Sequence, residues 1–466
     1  MILDPLFERF VSDTPLTVMA RATLEHALSP KALDELFEET AARGYTRQLL
    51  FSTAVDLMSL VACGQLPTVK AAYHHLLGRV PVSLKSVYEK LAHIETAVSA
   101  ALVRAVAGRC RALIDELGGA PEKLLPGYPV KILDGNHLAA TQKRLKVTRG
   151  HTAGPLPGVC LAVLDADAML VCDVVCCEDG HAHERSLIDR VLPLVRAHEL
   201  WIADRNFSTT DFLEGVSGRE GCFVVRRHGN LRIQARGEFG PEVPTERGWV
   251  RERQVDVCRA GRAVLAARHV VVRLKQPTED GDEEVEILTN LPVEAAGAVK
   301  VSELYLRRWT IEVVFYELTT SLRCESNTLG YPRAALFGFC VAVASYNVLS
   351  VLKASLRAVH GREKVAADVS GYYMALEWST VYAGMMVALP GERWRRFGVM
   401  PPSELAGCLR EWSGKVNLKK FKKSAPRKPT KRKTPRIKDR STHLSTAQLL
   451  NAAKQNKPLH RRGKTP

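Results

Sequence analysis

Between Tyr128 and His228 the apolar residues change their period, and that change sets what the chain can become. Upstream, LDELFEETAARG, QLLFSTAVDLMSLVACG and YEKLAHIETAVSAALVRAVAGRCRALIDELGG carry their apolar residues at helical spacing. After the Gly118–Gly119–Ala120–Pro121 break come short β-branched runs: YPVKILDGN, then VCLAVLDADAMLVCDVVCCE with a turn at Asp165–Ala168. The helical HERSLIDRVLPLVRAH follows, then the strand-like ELWIADRNF and CFVVRRH. The order β, β, β, α, β, β calls for an α/β fold with a mixed sheet, behind an all-α N-terminal region.

From Gly229 to Pro292 the runs are polar and alternating (WVRERQVDV, RHVVVRL, EVEILTNL), which predicts a small antiparallel insertion. Helical sequence then resumes to about Trp412. The expected organisation is a helical region over 1–120, an α/β core over 121–228, a β-rich insertion over 229–295, the rest of the core over 296–412, and a basic disordered tail over 413–466. The charge supports the last boundary. Of the net +16, the stretch from Gly414 onward carries 18 Lys+Arg against one acid, Asp439, a balance of +17 that leaves −1 for the remainder. A detached cationic tail suits a polyanionic partner, nucleic acid first; a solubilising tail is the plainer alternative. Ala334–Leu352 has no charge, but it contains Gly338, Ser345, Asn347 and Ser350, and a buried helix is expected there rather than a membrane span. MILDPLFERF has no basic start before an apolar run, so no signal peptide is expected. Eleven scattered cysteines without a paired framework fit a reducing compartment.

Ser302–Leu322, SELYLRRWTIEVVFYELTTSL, reads as one helix capped by Ser302. Leu304, Ile311, Phe315, Leu318 and Leu322 form an apolar stripe, and Tyr305, Arg308, Glu312 and Thr319 fall on a narrower polar one beside it. Glu317 points elsewhere, to solvent. Glu312 has a bland explanation, a rim salt bridge to Arg308 four residues back. Asp134 and Asp204 each close a predicted strand, where an Asp is more often a turn-former than a ligand. Were the two strands parallel neighbours, both carboxylates would emerge at one sheet edge, with Glu312 above them. Three carboxylates at an open edge suit hard divalent cations such as Mg²⁺. Two such ions promote in-line displacement at phosphorus.

The segments ILDGNHL around Asp134, WIADRNF around Asp204 and YLRRWTIEVVFYELT around Glu312, with its Tyr-x2-Arg-x3-Glu, resemble the DDE transposases of bacterial insertion sequences, the branch with a Tyr-Arg-Glu-Lys signature. The resemblance frames residues 130 to 350. It implies an RNase H-like catalytic core interrupted by a β insertion, with Asp134, Asp204 and Glu312 as ligands of two Mg²⁺ or Mn²⁺ ions. It also implies Tyr305 and Arg308 on phosphates of the transposon end. Cleavage at the ends, strand transfer into target DNA, a homodimer in a synaptic complex, and the bacterial cytoplasm and nucleoid as the setting follow by the same analogy. The β insertion resembles that of relatives that excise through a DNA hairpin, hence cut-and-paste. The N-terminal helices would recognise the terminal inverted repeats. One position departs from the family: its Lys, seven residues after the Glu, is Thr319 here, and Arg323 one turn on is the candidate substitute. That departure keeps a decayed DNA-binding derivative in view, beside a nuclease that cuts without joining.

Other residues carry weaker signals. Trp309 has the shape to stack on a base, though core packing is the favoured reading. Cys172, Cys176, Cys177, His181 and His183 lack regular zinc spacing. His181, His183, Glu184 and Arg185 either line the cleft or cap the helix that follows. Asp165, Asp167 and Asp173 read as turn residues, His137 as packed behind the site, and Arg226, Arg227 and His228 as a solvated loop or a DNA contact.

Overall fold

The computed structural model describes residues 5–42, 48–151, 154–278, 281–424 and 444–455. Twelve strands are found among them: β1 (Val130–His137), β2 (Pro155–Leu156), β3 (Val159–Asp165), β4 (Leu170–Cys177), β5 (Leu200–Ala203), β6 (Cys222–Arg226), β7 (Ile233–Ala235), β8 (Val243–Pro244), β9 (Gly248–Arg259), β10 (Arg262–Leu274), β11 (Glu284–Thr289) and β12 (Leu444–Ser445). One mixed sheet runs β4-β3-β1-β5-β6-β11-β10-β9-β7, with β8 on β9. β1 is antiparallel to β3 and parallel to β5, and β5 is parallel to β6. This is the mixed α/β architecture of an RNase H-like fold.

The insertion does not stand apart. β11 pairs with both β10 and the core strand β6, so β7 to β11 extend the central sheet. Nor does the N-terminal region form a core of its own. Phe7, in the Pro5–Asp13 helix, lies 5.1 Å from Trp394 and 6.2 Å from Trp412, ring centre to ring centre. One continuous apolar cluster joins these helices, one face of the sheet and the C-terminal helices. A second covers the opposite face through Ile188, Phe207, Phe212 and Phe223. Every residue of β3 is buried, as a strand covered on both faces requires.

The axis of the first cluster is the Pro332–His360 helix, packed against the Thr96–Leu117 helix, the N-terminal helices and β4. It is long and apolar enough to cross a membrane, but its apolar window is wholly buried. Its polar residues have partners. Asn347 Oδ1 accepts from Val171 N and its Nδ2 donates to Val171 O, both at 2.9 Å, while Ser350 Oγ donates to Met169 O at 2.7 Å. The helix thereby satisfies both outward backbone groups of Val171 on edge strand β4, and the Met169 carbonyl just before it.

The C-terminal stretch departs from the expected disorder in two places. A short 3₁₀ turn spans Leu418–Phe421, and Lys422 bridges to Val369. Further on, β12 pairs in parallel with β2, and the Thr446–Lys454 helix follows with Ser445, Thr446 and Leu449 buried. Gln448 Nε2 donates to Asp179 Oδ2 at 2.9 Å. Sparse apolar residues in a cationic stretch were enough to anchor it. The expectation for 425–443 and 456–466 lies outside the described residues.

Candidate active site

β1 and β5 lie side by side, with Leu133 opposite Ala203. β5 stops there, whereas β1 continues to His137 along β3. Asp134 is therefore the first β1 residue beyond its β5 neighbour, inside a strand rather than at the end expected. Asp204 is the residue that leaves β5. Its Oδ1 accepts from Asn206 N at 2.8 Å and so caps the Arg205–Phe207 3₁₀ turn. Asp134 Oδ1 accepts from Gly135 N at 2.9 Å.

The expected Ser302–Leu322 helix is two helices, Ala298–Leu306 and Trp309–Thr320. Ser302 is not a cap; its hydroxyl donates to Val299 O within the first helix. At the junction the backbone tightens to i→i−3 bonds, Arg307 N to Leu304 O, Arg308 N to Tyr305 O and Thr310 N to Arg307 O. Neither Pro nor Gly marks this break. The second helix packs against β1 through the face bearing Ile311, Val314 and Leu318. Arg308 Nη1 then lies 2.6 Å from Glu312 Oε1 and 3.4 Å from Asp134 Oδ2. The rim salt bridge is present, and the same guanidinium ties Glu312 to Asp134.

Burial pushes the Asp134 carboxyl up to about 7; Arg308 opposes the rise, and the charges of Asp204 and Glu184 add to it. Burial also raises Glu184, against a hydrogen bond from Asn206 Nδ2 to its Oε2 at 3.1 Å. Glu184 starts the 3₁₀ turn after His183, and its carboxylate fills the space a side chain at Gly135 would take: a Cβ there would lie 1.9 Å from Glu184 Oε1. Of the two expectations for His181, His183, Glu184 and Arg185, cleft lining holds and capping does not: all four line one groove with His137 and Asn206, and the turn has no side-chain cap. Nothing in HERSLID marks how close Glu184 comes to Asp134.

The remaining predicted residues divide. Tyr305 is partly buried beside Arg308, and its phenol is raised by burial with Arg308 pulling the other way. Trp309 is 61% exposed, not packed in the core, since Ile311, Val314 and Leu318 occupy the inner face. Thr319, its hydroxyl bonded to Phe315 O, lines a groove together with Arg323, Glu325 and Asn327. Glu317 is not solvated; both its oxygens meet Lys353 Nζ, at 2.8 and 2.9 Å. Asp173 is a β4 residue paired with Arg104 at 3.0 Å rather than a turn residue. Asp165 and Asp167 do serve the hairpin, the chain before β1 and the first residue of β1, accepting from backbone N–H groups. His137 Nδ1 lies 3.2 Å from Gly180 O. Arg226 and Arg227 are each ion-paired, with Asp282 and Glu286. Cys176 packs in the core between Cys160 and Cys340 at 3.8 and 3.6 Å, away from the surface groove lined by His181 and His183.

Among the described residues, no three His, Cys, Asp or Glu side chains stand close enough, as placed, to ligate one ion. In kind and charge the donors nevertheless fit a hard cation. Arg308 supplies positive charge on the Glu312 side, while Asp204 and Glu184 have no Lys or Arg ion pair among the described residues.

What fold and geometry define is an RNase H-like α/β core with carboxylates gathered where β1 and β5 part. Residues 125–348, just under half of the chain, match the family described as the transposase DDE domain, and all four acids lie within that stretch. No curated protein matches the chain. Among solved structures, the piggyBac transposase synaptic complex with hairpin DNA is similar over 83% of this chain and 85% of that one, at 10% identity and a TM-score of 0.39, too distant to bear on the reading.

Proposed function

We propose that the protein is a DDE transposase that cleaves DNA at the ends of a bacterial insertion sequence and joins the freed 3′ hydroxyls to target DNA, by a cut-and-paste route. The observation that carries this is that Asp134 and Asp204 each follow the last paired residues of parallel β1 and β5, with Arg308 linking Asp134 to Glu312, inside the stretch that matches transposase DDE domains.

Asp134, Asp204 and Glu312 would hold the divalent cations, Mg²⁺ or Mn²⁺. Such ions, when bound, polarise the scissile phosphate and lower the pKa of the attacking hydroxyl. The chain's own residues do the rest. Burial among carboxylates disfavours ionisation of Asp134, and Arg308 partly restores it. A phosphate entering beside Arg308 would draw the guanidinium off Glu312 and Asp134, freeing both acids. Tyr305 supports Arg308, while exposed Trp309 and the groove of Thr319 and Arg323 offer a base-stacking surface and a cation beside the duplex. The partners are the terminal inverted repeats, the target DNA and a second copy of the chain; the setting is the bacterial nucleoid.

The test is an excision and integration assay on a plasmid that carries the open reading frame with its native flanking DNA, in Mg²⁺. The expected result is excision with new junctions in the target, abolished in Asp134→Asn. Cleavage without joined product would replace this reading with a nuclease; identical outcomes for wild type and Asp134→Asn would overturn it.

A further inference from the structure

We propose that Glu184 is a fourth acidic residue of the same reaction centre, its carboxylate facing the divalent cation together with Asp134 and Asp204. This rests on the transposase reading.

One hydrogen bond and one close approach place Glu184 beside Asp134 and Asp204. Its Oε2 accepts from Asn206 Nδ2 at 3.1 Å, and Asn206 N in turn donates to Asp204 Oδ1 at 2.8 Å. Its Oε1 occupies the space over Gly135, next to Asp134, that any larger residue there would fill. The neighbouring Arg185 donates from Nε to Asn206 O at 2.8 Å, so the segment is strapped to the Asp204 loop by two side chains. A carboxylate is a poor choice for these interactions alone. A glutamine would accept the same hydrogen bond without setting a third negative charge against Asp134 and Asp204. Arg308 pairs with Asp134 and Glu312 and has no ion pair with Glu184, nor has any other Lys or Arg among the described residues. Of these three carboxylates only Asp134 faces a counter-charge, Arg308, and so many acids held together against one cation are intelligible where a metal ion joins them.

The experiment compares full-length wild type, Glu184→Gln and Gly135→Ala. Glu184→Gln keeps the acceptor and drops the charge; Gly135→Ala displaces the carboxylate and keeps the charge. Free Mn²⁺ is measured by electron paramagnetic resonance in a titration without DNA, and melting temperature is recorded with and without Mn²⁺. The Mn²⁺ needed for half-maximal cleavage is measured on linear DNA carrying the element's ends. We expect both variants to bind Mn²⁺ about tenfold or more weakly and to need correspondingly more for cleavage. Glu184→Gln should melt no lower than wild type without metal and gain less from Mn²⁺. A merely structural Glu184 would lower the metal-free melting temperature and leave Mn²⁺ binding unchanged, and that result overturns the proposal. If wild type binds Mn²⁺ and cuts while Glu184→Gln matches it, Glu184 alone is excluded. If wild type neither binds Mn²⁺ nor cuts, the transposase reading falls and Glu184 with it.

Discussion

Arg308 is the residue on which the metal-free arrangement turns. Its side chain is 19% exposed and answers two carboxylates, Asp134 at 15% and Glu312 at 32% exposure. Removing one member of a half-buried network leaves the others uncompensated. Arg308→Met is expected to destabilise the metal-free protein by about 2 kcal/mol. The same change removes a competitor for the acids, so Mn²⁺ should raise the melting temperature of Arg308→Met more than that of wild type, the opposite of Glu184→Gln. Thermal melts with and without Mn²⁺ check this; an equal Mn²⁺ increment in both proteins would refute it. Glu286, on β11, gives a second residue-scale prediction. A hydrogen bond with His269 at 2.8 Å, reinforced by Arg227 at 2.6 Å and opposed by burial, lowers its carboxyl to about 2. The folded value lies below the unfolded one, so the contribution is complete above about 4.5 and is lost as pH falls toward 2. At 37% exposure solvent screens much of it, and Glu286→Gln should lose only about 1 kcal/mol at pH 7. The stability gap between wild type and variant, measured by denaturant titration at pH 7, 5 and 3, should narrow at the lowest pH. A gap independent of pH would contradict the assignment.

At the scale of elements, the Pro332–His360 helix shows why an uncharged run with scattered polar residues belongs inside this protein. Asn347 serves both backbone groups of Val171 on edge strand β4. Asn347→Leu keeps the volume roughly and leaves a buried N–H and C=O without partners, each worth about 1–3 kcal/mol. A destabilisation of about 3 kcal/mol is expected, with hydrogen exchange at β4 speeding up before exchange in β5. Unchanged protection at β4 would show that the amide does not hold the edge. The elements differ in how much of them could be read beforehand. β1 and β5 were legible as short apolar runs; their parallel pairing, which brings Asp134 and Asp204 together, was only a condition in the sequence, and β1 runs on past Asp134 because β3 continues to pair with it. The break at Arg307–Arg308 was not legible: it has no Pro or Gly, and its i→i−3 bonds arise as the second helix docks on β1. Glu184 was named as one of four residues that would either line the cleft or cap the helix that follows; its place between Gly135 and Asn206 depends on tertiary packing across about 50 positions of chain.

At the scale of the molecule, local periodicity says little about what joins what. The pairing of β6 with β11 turns an apparent separate insertion into a continuation of the core sheet, and Phe7 against Trp394 does the same for the first helix. The C-terminal stretch is the clearest case. Composition predicted disorder, yet β12 and the Thr446–Lys454 helix seat on β2 and Asp179, close to the loop that carries His181 to Glu184. Residues 425–443, between the Lys422 bridge and β12, hold eight Lys or Arg and the single acid Asp439. Two functions are thus separable. Replacing those eight cations by Gln should leave the melting temperature within about a degree of wild type. It should also weaken non-specific duplex binding, lowering the slope of log affinity against log salt by about 0.9 for each phosphate no longer neutralised. Deleting 444–455 instead should lower the melting temperature by several degrees, since it removes the buried Ser445, Thr446 and Leu449, and should leave the salt slope nearly unchanged because that piece carries one cation, Lys454. Fluorescence anisotropy at several salt concentrations and thermal melts on the two variants separate the effects. If the Gln variant kept the full salt slope, the basic stretch would have no part in holding DNA.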